Sequence, residues 1–364
     1  MKKTAVVILN WNGVKHKLLH HYLPSVVKYT GEEQGDVVVA DNGSDDDSLQ
    51  VLREYFPTVK VLPLGSNLGF AKGYNQAIDQ LATAGYDYVV LLNDDVRVTE
   101  GWLTPMLAYM EAHRECAALQ PKLLKDWTFD QKHGTWNCLR PDSPGAAESF
   151  EYAGACGGYL DSLCYPYCRG RIFDTVEEDK GQYDLPQGEA WNVMWATGAC
   201  LMVRTELYRQ SGGLDARFFA HMEEIDLCWR LRRMGYEIAC APQSVVYHKG
   251  GASLPMGDPR KTLLNFRNSL VMMWKNLPAE TCAKLMRRRK MLDYVAAVNF
   301  LVHGQWRNAR AILKAHREAA GMIETQYRAS ELVGFGKAKK FPQEQKSILW
   351  EYYVRGKKRF GDLY

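Results

Sequence analysis

The chain has 364 residues, 46% of them apolar and 24% charged, a globular composition that excludes a disordered or low-complexity protein. No window holds the roughly 20 apolar residues that a spanning helix needs, so a soluble or peripheral protein is expected. The net charge of +4 conceals an asymmetry, because residues 260–364 carry 22 Lys+Arg against 8 Asp+Glu and leave 24 against 34 for everything before them. A basic end behind an acidic body points to a negatively charged partner, either lipid headgroups or nucleic acid.

Met1-Lys-Lys-Thr4 runs straight into Ala5-Val-Val-Ile-Leu9, an apolar stretch too short for a signal-peptide core. It reads as a first buried strand. Strands are predicted at Thr4–Leu9, Asp36–Ala40, Val59–Leu62 and Tyr86–Leu92, all rich in Val and Leu as strands buried on both faces are. Helical patterns lie between them at Val14–Tyr29, Asp47–Tyr55 and Phe70–Ala82, followed by a helix at Trp102–Ala112 and a strand at Ala117–Pro121. This rhythm predicts an α/β fold, an open Rossmann-like sheet with flanking helices. The stretch from Leu124 to Asn192, dense in Gly, Pro, Tyr and Asp, predicts an irregular insert. Order resumes with a strand at Thr197–Val203, a helix at Met222–Met234, and short strands at Glu237–Cys240 and Val245–Tyr247. From Pro259 onward the pattern is helical. Two parts are therefore expected, an α/β domain over 1–255 that includes the irregular insert at 124–192, and a basic helical region over 256–364.

The nine cysteines have no repeating spacing. Cys156, Cys164 and Cys168 are the tightest set, with Cys138 and His133 nearby, but paired CxxC spacing is missing. They read as reduced thiols rather than as a zinc site.

Ligands of open α/β sheets bind beyond the carboxyl ends of the strands. There the sequence places Asn10-Trp-Asn-Gly13, Asp41-Asn-Gly-Ser-Asp45 and Asn93-Asp-Asp95. A dinucleotide fold would place GxGxxG after the first strand, and its absence disfavours a dehydrogenase. Taken singly, Asp41-Asn-Gly-Ser is a turn running into a helix cap, and Asn93-Asp-Asp95 a solvated turn. Together, at the ends of parallel strands, they suit a hard divalent cation, Mg2+ or Mn2+, neutralising a nucleotide diphosphate. A carboxylate on the second strand can instead bind a base or ribose. Asn67-Leu-Gly-Phe-Ala-Lys-Gly-Tyr-Asn75 opens a helix whose start can approach a nucleotide, with Lys72 placed to reach a phosphate. Three carboxylates, Glu223, Glu224 and Asp226, open a later helix. One of them is expected to deprotonate an acceptor hydroxyl, and Asp226 to pair with Arg230. His248, just after a strand, suits a metal ligand, although alone it would read as a surface histidine.

These segments, taken in order from Lys3 to Gly251, resemble glycosyltransferase family 2, the inverting group with the GT-A fold. Val6-Val-Ile-Leu-Asn-Trp-Asn-Gly13 is similar to its opening strand and nucleotide loop, which carries Asn10 and Asn12. Asp41 falls where the family holds the base, and Asn67 and Lys72 lie in its Gly-Phe-Ala helix start. Leu91-Leu-Asn-Asp-Asp-Val96 resembles the shortened DxD motif, which implies donor contacts for Asn93 and Asp94 and a metal contact for Asp95. Gly198-Ala-Cys-Leu-Met-Val-Arg204 and Gly212-Gly-Leu-Asp-Ala-Arg-Phe-Phe219 resemble the stretch leading to the acceptor side. The family's catalytic segment aligns its base with Glu224, where aspartate is more usual, and its late histidine with His248. The resemblance, nearest to the rhamnosyltransferase-like branch, implies a nucleotide-sugar donor, UDP- or dTDP-linked and in that branch a rhamnose. It also implies a lipid-linked or cell-surface glycan acceptor.

Two basic stretches in the tail, Phe266–Lys275 and Arg287–Val302, place clustered bases beside apolar helix. The second can either lie on an anionic membrane surface or pack on the catalytic domain with its charges solvated. The expectation is a cytoplasmic protein, peripheral at the inner face of the cell membrane. A nucleotidyltransferase would carry a Gly-rich basic signature after its first strand, which is missing. No nucleic-acid-reading motif is present, so no nucleic acid partner is expected.

Overall fold

A computed structural model describes residues 2–130, 135–138, 148–250, 257–324 and 346–364. The first half alternates β1 (Thr4–Asn10), α1 (Leu18–Tyr29), β2 (Asp36–Asp41), α2 (Ser48–Tyr55), β3 (Lys60–Pro63), α3 (Phe70–Thr83), β4 (Tyr88–Leu92), β5 (Val96–Val98), α4 (Leu103–Ala112) and β6 (Cys116–Lys125). The middle adds β7 (Trp127–Asp130), β8 (Thr135–Cys138), β9 (Gly158–Leu160), β10 (Pro166–Cys168), β11 (Arg171–Ile172), β12 (Thr175–Val176) and β13 (Trp191–Val193). Then come β14 (Cys200–Arg204), α5 (Thr205–Gln210), α6 (Glu223–Arg233) and β15 (Glu237–His248). The helices α7 (Pro259–Asn276), α8 (Ala279–Val302) and α9 (Trp306–Glu324) follow.

The main sheet runs β13-β15-β6-β14-β4-β1-β2-β3, with β5 paired to β15. β3, β2, β1 and β4 are mutually parallel, β14 is antiparallel to both its neighbours, and β6 and β15 are parallel. Side chains alternate across this sheet as the strand period of two requires. On β1, Val6 and Ile8 join a core with α1, α2 and α4, while Ala5 and Val7 face α3 and the second-half helices. Helices thus cover both faces, and the carboxyl ends of β1, β2 and β4 meet at one edge.

Three differences from the sequence expectations have physical causes. The two short strands after α6 are one strand, β15, whose register against β6 shifts between Ala241 and Val245. Pro242 lies inside that shift, where a missing N–H costs no ladder bond. The insert is not structureless: its described residues form the hairpin β7–β8, a sheet of order β12-β11-β10-β9, and the edge strand β13. Strands of two to four residues have too few positions to show a period. The tail returns to this insert, with Phe360 against the rings of Tyr159, Tyr167 and Tyr183 and the Ile348 amide donating to Asp161.

The helical region is bolted to the sheet domain through α7. Lys275 reaches Asp215 and Asp226 at 2.7 Å each, and all three side chains are buried. Among the described residues no helix is long and apolar enough to cross a membrane.

Candidate active site

β1 and β2 end side by side, with Asn10 in register with Asp41. Asn10 Nδ2 donates to Asp41 Oδ1 at 3.0 Å, and the Ser44 hydroxyl donates to the same oxygen at 2.6 Å. Asn12 holds the turn from the other side: its amide donates to Ser44 Oγ and its side-chain oxygen accepts from the Asp45 amide. Gly43 makes this turn possible. Its φ is +73°, and a Cβ there would lie 2.6 Å from the Ser66 backbone. Asn42 bridges onward, donating to Asn67 Oδ1 at 3.2 Å and accepting from the Leu68 amide. Thus Asn10, Asn12, Asp41 and Asn67 form one network at the start of α3. Lys72 is exposed on the first turn of that helix.

A second cluster lies at the end of β4. Asp95 Oδ1 and His248 Nε2 are 3.0 Å apart, both groups buried. Behind the ring, Glu151 Oε1 stands 3.5 Å from His248 Nδ1. Burial would pull the imidazole down, but Asp95 and Glu151 hold its pKa well above the usual value. Burial raises Asp95 too, and the facing imidazolium more than reverses it. Asp94 moves the other way: burial and the neighbouring Asp95 charge push its carboxyl up to about 7. Asn93 is fixed by its backbone, its amide donating to Ala199 O at 3.0 Å, and its buried Oδ1 has no partner among the described residues.

The third cluster opens α6. Asp226 is fully engaged, accepting from Arg230 Nε at 3.0 Å, Lys275 Nζ at 2.7 Å and Asn276 Nδ2 at 2.8 Å. Burial and the charge of Glu224 hold Glu223 well above the usual carboxyl range, whereas burial brings Glu224 to about 7. One oxygen of each glutamate is buried without a hydrogen-bond partner among the described residues. The loop before α6 is unusual, since Phe219, His221 and Met222 all have positive φ, between 67° and 73°.

Gly198 joins the clusters. A Cβ built there would lie 3.5 Å from Glu224 Cβ and 3.7 Å from Phe70 Cζ, and the next residue, Ala199, is the one that receives the Asn93 amide. Glu224, the start of α3 and the end of β4 therefore converge on one short segment. Asn42 and Ser44 take their places from the Asp41–Asp45 segment, whereas Glu151, beside His248, was singled out by no motif. Glu151 had no readable signal, because it precedes a Gly-rich run whose function only its contact with His248 reveals.

Asp95 and His248 fit a hard divalent ion. Their facing atoms are separated by about the edge of an octahedron with bonds near 2.1 Å. Among the described residues no three His, Cys, Asp or Glu side chains are arranged to hold a metal by themselves. A carboxylate completed by substrate phosphate and water is the pattern Mg2+ favours, and His248 would add a nitrogen ligand once its imidazole gives up a proton. The eight described cysteines are buried thiols.

A mixed, mostly parallel sheet with helices on both faces and this acid-and-amide edge is the GT-A architecture, that of a glycosyltransferase. The chain belongs to glycosyl transferase family 2, whose model matches residues 5–210. Its likeness within the family is to rhamnosyltransferases. It is 29% identical over 253 residues to N-acetylglucosaminyl-diphospho-decaprenol L-rhamnosyltransferase of Mycobacterium tuberculosis, covering 67% of this chain and 75% of that one. It is 26% identical over 175 residues to the O-antigen biosynthesis protein RfbC of Myxococcus xanthus, covering 47% of this chain and 11% of that one. Among solved structures, GalNAc-T7 with UDP, GalNAc and Mn2+ superposes with a TM-score of 0.54 at 15% identity. That match covers 80% of this chain and spans little more than half, 55%, of the solved one.

Proposed function

We propose that this glycosyltransferase moves a sugar, L-rhamnose in the first instance, from a UDP or dTDP donor to a lipid-linked glycan acceptor. Transfer inverts the anomeric configuration. The observation that carries the reading is the convergence of Glu224, Phe70 and Asn93 on Gly198–Ala199, beside the Asp95–His248 pair. The similarity to a rhamnosyltransferase acting on N-acetylglucosaminyl-diphospho-decaprenol supports the choice of sugar and acceptor.

In this mechanism Asp41, held by Asn10 and Ser44, receives the base, while Asn12, Asn67, Asn93 and Asp94 line the donor and Lys72 meets a phosphate. Asp95 and His248 would hold Mg2+ or Mn2+, which when bound neutralises the diphosphate. Glu224 takes the proton from the acceptor hydroxyl. The acceptor oxygen then bonds to the anomeric carbon from the face opposite the leaving group, and the bond from that carbon to the diphosphate oxygen breaks with its electron pair. Asp226 is unsuited to the base role because its oxygens are saturated by cations and an amide. Glu223 is less suited because burial and the neighbouring Glu224 charge hold its pKa well above the usual carboxyl value.

The test is a thermal-shift screen of nucleotide sugars with and without Mn2+, followed by transfer to a short-chain prenyl-diphospho-N-acetylglucosamine. A Mn2+-dependent rise in melting temperature with one donor, and a product of inverted configuration, is expected. No stabilisation by any nucleotide sugar would overturn the proposal.

A further inference from the structure

Helix α8 is built inside out. Its inward face carries Arg289 and Asp293, which are 2% and 0% exposed. Arg289 donates to Leu163 O and Ser269 Oγ and stacks over Tyr165, while Asp293 accepts from Tyr165 OH and faces His316 Nε2 at 3.0 Å. Its outward face carries Met291, Val295, Val298, Leu301 and Val302, between 55% and 77% exposed. At 100° per residue these positions fall in one stripe, about 17 Å long from Met291 to Val302. A soluble surface helix has the reverse distribution.

The same stripe continues toward the helix N-terminus as charge. Lys284, Arg287, Arg288 and Lys290 are exposed on the same side of the helix. The only exposed acid of α8, Glu280, is paired with Lys284 at 3.1 Å. Apolar side chains at one end and, at the other, Arg287, Arg288 and Lys290, which no exposed acid of α8 offsets, complement a bilayer surface, acyl boundary and anionic headgroups respectively. A protein partner would need its own acids and apolar groups in that order.

The position of the stripe matters. Asn308, just past the end of α8, donates to Gly257 O and accepts from Thr262 Oγ1, at the start of α7. These bonds join the first turn of α9 to the start of α7, so the turn that follows the apolar end of α8 lies beside the N-terminus of α7. Exposed Trp306 lies there too.

We propose that this face of α8 docks on an anionic lipid bilayer, its apolar end in the interface and its basic end on the headgroups, and so holds the transferase at the surface where a lipid-linked acceptor lies. The role of docking in acceptor delivery rests on the transferase reading, whereas docking itself rests on the helix alone.

The experiment is co-sedimentation of the full chain with phosphatidylcholine vesicles, with and without about one third phosphatidylglycerol. Wild type should pellet with the anionic vesicles and be released as salt rises. Val295→Asp/Val298→Asp, and separately Arg287→Glu/Arg288→Glu, should each lower binding by about tenfold or more, because the apolar and ionic terms are both needed. Their melting temperatures should match wild type, as all four side chains are exposed. Failure of wild type to bind, equal binding to neutral vesicles, or retained binding in either variant would overturn the proposal. So would a wild-type dimer that Val295→Asp/Val298→Asp dissociates in the absence of lipid, which would make the face a contact between copies of the chain. Donor stabilisation by Mn2+ is measured on the same variants without vesicles. Its absence in wild type would count against the transferase and leave the docking result standing.

Discussion

Asn268 of α7 donates to the carbonyl of His221 at 2.8 Å, and the same buried nitrogen lies 2.9 Å from Phe218 O and 2.8 Å from Ala220 O. One amide from the helical region thus gathers the loop that precedes Glu223 and Glu224. That loop holds three non-glycine residues at positive φ, a conformation that survives only where neighbours enforce it. The helices after the sheet domain are part of how the proposed base is aimed.

Asn268→Ala removes this donor from the Ala220 and His221 carbonyls, while Phe218 O keeps Arg267 and the Ala220 amide, and is expected to cost about 2 kcal/mol. It should also lower kcat about tenfold or more with little change in donor KM, because a misplaced base affects chemistry before binding. Urea unfolding and steady-state transfer kinetics check the two parts. A variant with wild-type kcat would show that the loop holds its shape without the clamp.

Glu224 should set the acid limb of the rate profile. Burial brings its carboxyl to about 7, and only the deprotonated form can accept a proton. Transfer should therefore rise with pH and level off above that value. Glu224→Gln should lose about a hundredfold or more in kcat while still binding the donor. If the acid limb persists unchanged in the residual activity of Glu224→Gln, the titrating group lies elsewhere.

Asp95→Asn should separate the metal from the base. Activity should fall in both Asp95→Asn and Glu224→Gln, but only Asp95→Asn should remove the part of donor-induced thermal stabilisation that requires Mn2+. A thermal-shift matrix of two variants with and without Mn2+ decides it. Identical behaviour of the two variants would detach Asp95 from the ion.

Glu151 should act through His248. A histidine ligand is commonly oriented by a carboxylate on its other ring nitrogen, and loss of such a partner weakens metal affinity by about 10–100-fold. Glu151→Gln is expected to raise the Mn2+ dissociation constant by that factor, read directly from the free-ion signal in electron paramagnetic resonance. Saturating Mn2+ should restore kcat. An unchanged dissociation constant would reduce Glu151 to packing.

The sheet was legible because buried parallel strands such as Val37–Ala40 and Val89–Leu92 are continuous apolar runs, and their ends declare themselves as acid and amide residues. The pairing of Asp95 with His248 followed only from the family resemblance, since the two are 153 positions apart and no local pattern couples them. Glu151 and Asn268 were invisible for a different reason. A buried carboxylate in a Gly-rich insert and an amide inside a helix have ordinary sequence neighbours, and what each does depends on a carbonyl or ring brought to it by tertiary packing. The α8 stripe was the ambiguous case: its period predicted a helix with an apolar face, but not which face would be turned inward.

Lys275 offers a test of the joint between sheet domain and helices. Its ammonium is shared by Asp215 and Asp226, all three buried, and Arg217 and Arg230 complete the network. Burial raises both aspartates, but Arg217 and Lys275 hold Asp215, and Lys275 and Arg230 hold Asp226, below the ordinary carboxylate range. A folded-state pKa below the unfolded value of about 4 contributes stability above that pH and loses it as pH falls through the folded value. Lys275→Met keeps the apolar stem but leaves two buried carboxylates without their shared cation, for an expected loss of about 3 kcal/mol near neutral pH. Without the lysine the aspartates take up protons more readily in the folded chain, so the deficit should shrink as the solution is acidified below about 4. Urea unfolding of both proteins at neutral and acidic pH measures it. A deficit of constant size across that range would mean that the lysine acts by packing alone.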